Sequence, residues 1–172
     1  MALAIKAEIT RDFTPKINNI IIGLSSGTSG NKGLFLVSGQ DNAQYIAALY
    51  LKVLRPLKLR KTRVALFFRA NSNLYESVKS IFLKFKFLDL TGELSPQIWE
   101  LNEYAPHILV APPTLLNILA KKKMNKEITI HPEKIISVAE LLEDDIRKNI
   151  EEAFGIIVHQ LYQCTEGFLG ST

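Results

Sequence analysis

The sequence predicts an α/β fold, a mainly parallel sheet flanked by helices. Three observations point there. Short apolar runs recur along the chain, among them "NIIIGL" (19–24), "RVALFF" (63–68), "HILVA" (107–111) and "IIVHQLY" (156–162). Stretches of roughly 10–15 residues with apolar positions at helical spacing separate most of them. Proline and glycine fall at the junctions, as at Pro112-Pro113 and Gly155. Alternation of this kind implies βαβ units, because parallel strands need a crossover, usually a helix, between them.

The elements follow in order. Residues 19–24 and "LFLV" (34–37) read as strands joined by a polar loop. Ser38 is placed as an N-cap with Asp41 three residues on, a variant of the capping box. Ala43, Ile46, Ala47, Tyr50 and Leu54 then share a helical face. The run 63–68 is a strand. Residues 73–84 read as a helix with Leu74, Val78 and Ile81 inward, and "KFLDL" (86–90) as a short strand. Ser95-Pro96 opens a helix, since proline is tolerated at its start, with Ile98, Leu101 and Ala105 on the inner face. The strand 107–111 is stopped by Pro112-Pro113, which also begin the helix "TLLNILAKKK". "KIISV" (134–138) is a strand. Residues 143–154 form a helix with Ile146, Ile150 and Ala153 inward, closed by Gly155. The last strand is 156–162, and "KMNKEITIHPE" (123–133) is the one long connector.

At 172 residues and 47% hydrophobic, the chain can bury a real core. No apolar run approaches the ~20 residues of a membrane span. "MALAIKAEITRDF" lacks the pattern of a signal peptide. The single cysteine, Cys164, excludes an intrachain disulfide framework, and a cytoplasmic setting is expected. The net charge of +4 gathers in "KLRKTR" (58–63) and "KKKMNK" (121–126). The second ends a helix, where cations offset the negative end of the dipole. Neither has the interleaved aromatics of a single-strand binder, so no nucleic-acid partner is expected. His107, His131 and His159 show no metal-ligand spacing.

The loop after the first strand reads "SSGTSGNKG" (25–33). Glycine-freed backbone N–H groups, several hydroxyls and one lysine make a cradle for phosphate oxygens. Asn31 separates Gly30 from Lys32, so the loop is not a Walker A sequence. A strand follows it rather than a helix, so it is not the dinucleotide fingerprint either. It is a phosphate-loop hairpin between two strands. A flexible Gly/Ser turn is the plainer alternative, but a turn does not need two serines, a threonine and a lysine together.

This loop resembles the phosphate-binding loop of the adenylate-forming, acyl-activating enzymes, Ser-Gly-Thr-Thr/Ser-Gly-x-Pro/x-Lys-Gly. Further matches follow in family order. "ILVAPPTLLNIL" (108–119) fits the strand, Pro-Pro and helix, "SVAELL" (137–142) is similar to the Gly-Ala-Glu-x-Leu stretch, and "YQCTEG" (162–167) to the Tyr-Gly-x-Thr-Glu motif. The spacing looks most like the phenylacetate–CoA ligase and coenzyme F synthetase branch, over residues 10–172. The resemblance implies a carboxylic acid and ATP with Mg²⁺ as reactants, an acyl-adenylate and pyrophosphate as products, and a thiol such as coenzyme A as acceptor. A deazaflavin acceptor is the alternative in that branch.

By position, the resemblance implies that Ser25, Ser26, Gly27, Thr28, Ser29, Gly30 and Lys32 hold the phosphates. Ala139 and Glu140 line the adenine and Tyr162 stacks on it. Thr165 reaches the α-phosphate and Glu166 holds Mg²⁺, with Lys32, Thr165 and Glu166 as the catalytic groups. A core aromatic is the plainer reading of Tyr162, and a solvated acid that of Glu166. Arg69, Asn71 and Tyr75, in the loop "RANSNLYES" (69–77), are candidates to meet the acid, against a reading as surface loop. Gln163 replaces the motif's glycine, and Val138 stands where the adenine stretch often has one. Cys164 reads as a small buried hydrophobe rather than a nucleophile.

The later motifs of the family have no counterpart here: the ribose-binding aspartate, the hinge, and the small C-terminal domain with its lysine. Residues 1–172 are therefore expected to be part of the large N-terminal domain, inactive alone. An uncovered sheet edge would then favour a homodimer. The competing readings are a nucleotide- or phosphate-binding α/β module without ligase chemistry, and an interaction domain whose basic clusters meet an acidic partner.

Overall fold

The computed structural model describes residues 2–10, 16–18, 20–24, 33–41, 43–44, 47, 61–68, 83–164 and 167–171. The chain divides into two units. One comprises Met1–Arg55, Ala70–Val78 and Cys164–Phe168, the other Pro56–Arg69, Lys79–Gln163 and Leu169–Thr172.

In the first unit, helix α1 (Ala2–Thr10) packs on a three-stranded sheet of order β1-β2-β3, with β1 Lys16–Ile17, β2 Ile20–Leu24 and β3 Leu34–Val37. Among the described residues there, Ala4 and Ile22 are buried. Ile17 pairs with Ile20 across a two-residue turn, and Asn18 takes the positive φ of 48° that such hairpin turns demand. Sequence reading missed α1 and β1. β2 and β3 pair antiparallel up to Leu24↔Leu34, as expected of consecutive strands in a hairpin, and residues 25–32 between them lie outside the described residues. The capping box is also present. The Ser38 N–H and hydroxyl donate to Asp41 Oδ2 at 3.2 and 2.6 Å, and the Asp41 N–H donates back to Ser38 Oγ at 3.1 Å. These bonds hold the Asp41 carboxyl below its usual range. The described residues that follow, 39–41, 43–44 and 47, are helical.

The second unit is built on a sheet of order β5-β4-β6-β7-β8-β9. The strands are β4 (Thr62–Phe68), β5 (Leu83–Asp89), β6 (Ile108–Ala111), β7 (Lys134–Ser137), β8 (Val158–Cys164) and β9 (Gly167–Ser171). From β5 to β8 every pairing is parallel. Val64, Ala65, Leu66 and Phe67 are all buried, so β4 is covered on both faces, as a central parallel strand must be. Helices α2 (Leu94–Tyr104), α3 (Pro113–Met124) and α4 (Asp144–Phe154) supply the crossovers that follow β5, β6 and β7. Leu101, Leu116, Leu119 and Ile150, all fully buried, form one core with Ala65, Phe67, Leu109 and Ile135 of the sheet. Ile128 and Ile130 of the long connector join it.

Three local expectations need correction. Leu83 and Lys84 belong to β5, not to the end of a helix. "LKFKFLD" alternates, and Leu83 pairs with Thr62 of β4 while Lys84 faces solvent. Ala105 is not on the inner face of α2. It is the exposed C-cap, with φ at 45° and its N–H donating to the Leu101 carbonyl. The last run begins pairing at Val158, with Ile157 left 72% exposed.

The basic clusters serve the fold where they are described. The Arg63 guanidinium donates to the carbonyls of Tyr104 and Ala105 at 2.6–2.9 Å, closing the carboxyl end of α2. Lys121, Lys122 and Lys123 sit in the last turn of α3. Lys122 pairs with Glu127 at 2.6 Å, and Lys123 donates to the Ile130 carbonyl at 2.7 Å. Residues 58–60 lie outside the described residues.

Candidate functional site

In an open parallel sheet, ligands bind beyond the carboxyl ends of the strands, near the point where the strand order reverses. Here β4 has β5 on one side and β6 on the other, so the reversal lies between β4 and β6. The carboxyl ends of β6, β7 and β8 are described in full up to Tyr162. Ala111, Ser137 and Gln160 form one row across them, Ala111 opposite Ser137 and Ser137 opposite Gln160. All three are buried. Ser137 Oγ is a buried side-chain oxygen without a hydrogen-bond partner.

Beyond β7 the backbone turns sharply. The Val138 N–H still donates to the Ala111 carbonyl at 3.2 Å, and the next residue, Ala139, takes φ of 69°. That left-handed conformation costs an L-residue about 1 kcal/mol. It throws Glu140 toward the start of α3. The Thr114 hydroxyl donates to Glu140 Oε2, and the Thr114 N–H approaches the same oxygen at 3.4 Å. The local sequence explains the contact. Pro112 is the N-cap of α3 and offers no side-chain acceptor, and Pro113 has no N–H. The first free N–H of the helix is that of Thr114, and Glu140 caps it from another element.

On β8, Gln160 is 4% exposed, in a strand where Val158 and Leu161 are also buried. Its Nε2 donates to the Glu140 carbonyl at 3.4 Å, and its Oε1 accepts from the Tyr162 hydroxyl at 2.8 Å. Tyr162 itself is 44% exposed. Ala139, Glu140 and Tyr162, singled out from the sequence, are thus brought together at neighbouring strand ends, and Gln160 is the link between Glu140 and Tyr162. Gln160 and Thr114 were not singled out. The signal for Gln160 was a polar residue inside the last apolar run, and for Thr114 a hydroxyl directly after two prolines.

The other expected site residues lie outside the described residues: Ser25, Ser26, Gly27, Thr28, Ser29, Gly30, Lys32, Arg69, Asn71, Tyr75, Thr165 and Glu166. Cys164 ends β8, with its side chain outside the description. Among the described residues there is no group of three or more His, Cys, Asp or Glu side chains able to hold a metal ion, and no helix long and apolar enough to cross a membrane. His107 is a structural histidine, its Nδ1 accepting from the Arg63 N–H at 2.9 Å.

No protein-family model matches the chain, and no curated protein matches its sequence. Solved structures do match its fold. A 2-hydroxyisobutyryl-CoA ligase, solved in an open conformation with 2-HIB-AMP and CoA, aligns over 94% of the chain at 13% identity and a TM-score of 0.67. The fatty acid AMP ligase of Legionella pneumophila aligns over 91% at 11% identity and 0.65. ATP-bound MatB of Rhodopseudomonas palustris aligns over 88% at 17% identity and 0.63. The fold is that of the adenylate-forming ligases. The chain spans 41%, 31% and 30% of the length of these three structures. The row Ala111–Ser137–Gln160 is the last paired row of β6, β7 and β8, and β2 and β3 flank the hydroxyl- and glycine-rich segment.

Proposed function

We propose that the chain is part of the large N-terminal domain of an ATP-dependent acid-activating ligase. It joins a carboxylic acid to AMP with release of pyrophosphate, and the acyl group then passes to a thiol, coenzyme A being the leading candidate. The observation that carries the reading is the ligase fold together with antiparallel β2 and β3 flanking "SSGTSGNKG". Glycine N–H groups and hydroxyls there supply geometry for phosphate oxygens, and Lys32 supplies charge. Tyr162 offers a ring for adenine to stack on, opposite the turn at Ala139 and Glu140. Thr165 meets the α-phosphate, and Glu166 holds Mg²⁺, which binds through few carboxylates and keeps several waters. Arg69, Asn71 and Tyr75 face the acid. The motif spacing favours the phenylacetate–CoA ligase-like branch, in a cytoplasmic protein.

The test is acid-dependent exchange of labelled pyrophosphate into ATP across a panel of aryl and fatty acids. It is run on the 172-residue chain and on any longer protein that contains it. Exchange that needs one acid class, and falls sharply in Lys32→Ala and Glu166→Ala, is the expected result for the longer protein. No turnover is expected of the chain alone. Retained ATP binding with no exchange for any acid would leave a nucleotide-binding module without ligase chemistry. We also propose that two copies of the chain associate. A clean monomer by light scattering at high concentration would count against that.

A further inference from the structure

We infer that Gln160 is a positioning residue, one that fixes the Tyr162 ring against the turn at Ala139 and Glu140 before a nucleotide arrives. The inference rests on the adenine reading of that turn and goes beyond it by naming what holds its two walls. A backbone carbonyl can only accept, so the Gln160 amide is oriented by the Glu140 carbonyl, with Nε2 facing it at 3.4 Å. Oε1 is then left for the Tyr162 hydroxyl, which donates to it at 2.8 Å. Gln160 is 4% exposed as a residue, so neither bond is exchanged freely for water. Tyr162 is 44% exposed, and packing alone does not lock its ring.

Two consequences follow for the ligand. The Tyr162 hydroxyl proton is already committed, so the side chain offers a base its ring face and an acceptor oxygen but no donor. The ring is also ordered in advance, which removes part of the entropic cost of immobilising it on binding. Breaking the tether should therefore weaken ligands that carry a base and leave base-free phosphates untouched.

The experiment is calorimetric titration of the chain with AMP and, separately, with inorganic tripolyphosphate. The variants are Gln160→Met, Tyr162→Phe and the double, with melting temperatures recorded for each. Gln160→Met keeps the volume of a buried side chain, and Tyr162→Phe touches no core contact, so one of the two reports even if the other is unstable. Each single variant should weaken AMP about threefold to tenfold, the effect of one net hydrogen bond. The double should be no weaker than the worse single, and tripolyphosphate binding should not change. AMP binding unaltered in both single variants would overturn the inference while leaving the adenine reading intact. So would a parallel loss for tripolyphosphate, which marks general damage. Absence of AMP binding in the unaltered chain would overturn the adenine reading and this inference together.

Discussion

Ala139 holds a left-handed backbone with φ of 69°, where only glycine is comfortable. Ala139→Gly should be close to neutral, because relief of about 1 kcal/mol of strain offsets the extra flexibility of the unfolded chain. Ala139→Val should destabilise by more than about 1 kcal/mol, since a β-branched side chain is a true outlier there. Urea denaturation of the pair checks this. The family resemblance pointed at glycine one position earlier, at Val138, and the strain sits at its neighbour. Tyr104 makes a second residue-scale prediction. Its hydroxyl donates to the Lys84 carbonyl at 2.7 Å, and burial pushes its pKa up to about 12. The folded state thus keeps a proton that the unfolded state loses near pH 10. This contribution to stability is complete below about pH 10 and falls as pH rises through about 12. Tyr104→Phe should flatten that alkaline decline in denaturation curves taken at pH 9 to about 12.

At the scale of elements, burial periodicity in the sequence was readable wherever a helix presents one stripe. Ile146, Ile150 and Ala153 of α4 face the core, and Gly155 closes the helix with φ of 69°. Ile150→Ala should cost about 2–5 kcal/mol, because a fully buried side chain leaves a cavity between α4 and the sheet. The loss would appear in thermal unfolding. Caps between elements were not readable, because the partner lies far away in sequence. Glu140 caps α3 across 26 residues, and Arg63 closes α2 from 41 residues away. Glu140→Ala should remove about 1 kcal/mol and speed hydrogen exchange at the Thr114 amide, with Glu140→Gln milder because it keeps an acceptor. The start of β5 was misread for a related reason. "SIFLKFKF" satisfies helical and alternating patterns alike, and only the pairing of Leu83 with Thr62 decides between them.

For the molecule as a whole, strand–helix alternation was enough to reach the parallel sheet, and two strands joined by a polar loop with no helix between them were enough to reach the antiparallel β2–β3 pair. The binding candidates were legible as motifs, yet their connection through Gln160 was not, since it depends on which strand ends become neighbours. Among the described residues, β5 is an outer strand of the parallel sheet, and it carries Lys84 and Lys86. Lys86 is paired with Glu100 at 2.8 Å, and both lysines lie near the Tyr104 ring. Lysines on an outer strand oppose the addition of another strand. Replacing both, Lys84→Thr with Lys86→Thr, should increase association measured by light scattering. The strand order has a consequence for how the protein is made. Every strand from β5 to β8 lies beside one that precedes it in the chain. As synthesis proceeds from the amino end, each new strand emerges to find its partner already present. The parallel sheet can grow outward from β4 on the ribosome, each later strand up to β8 adding to an edge that is already translated.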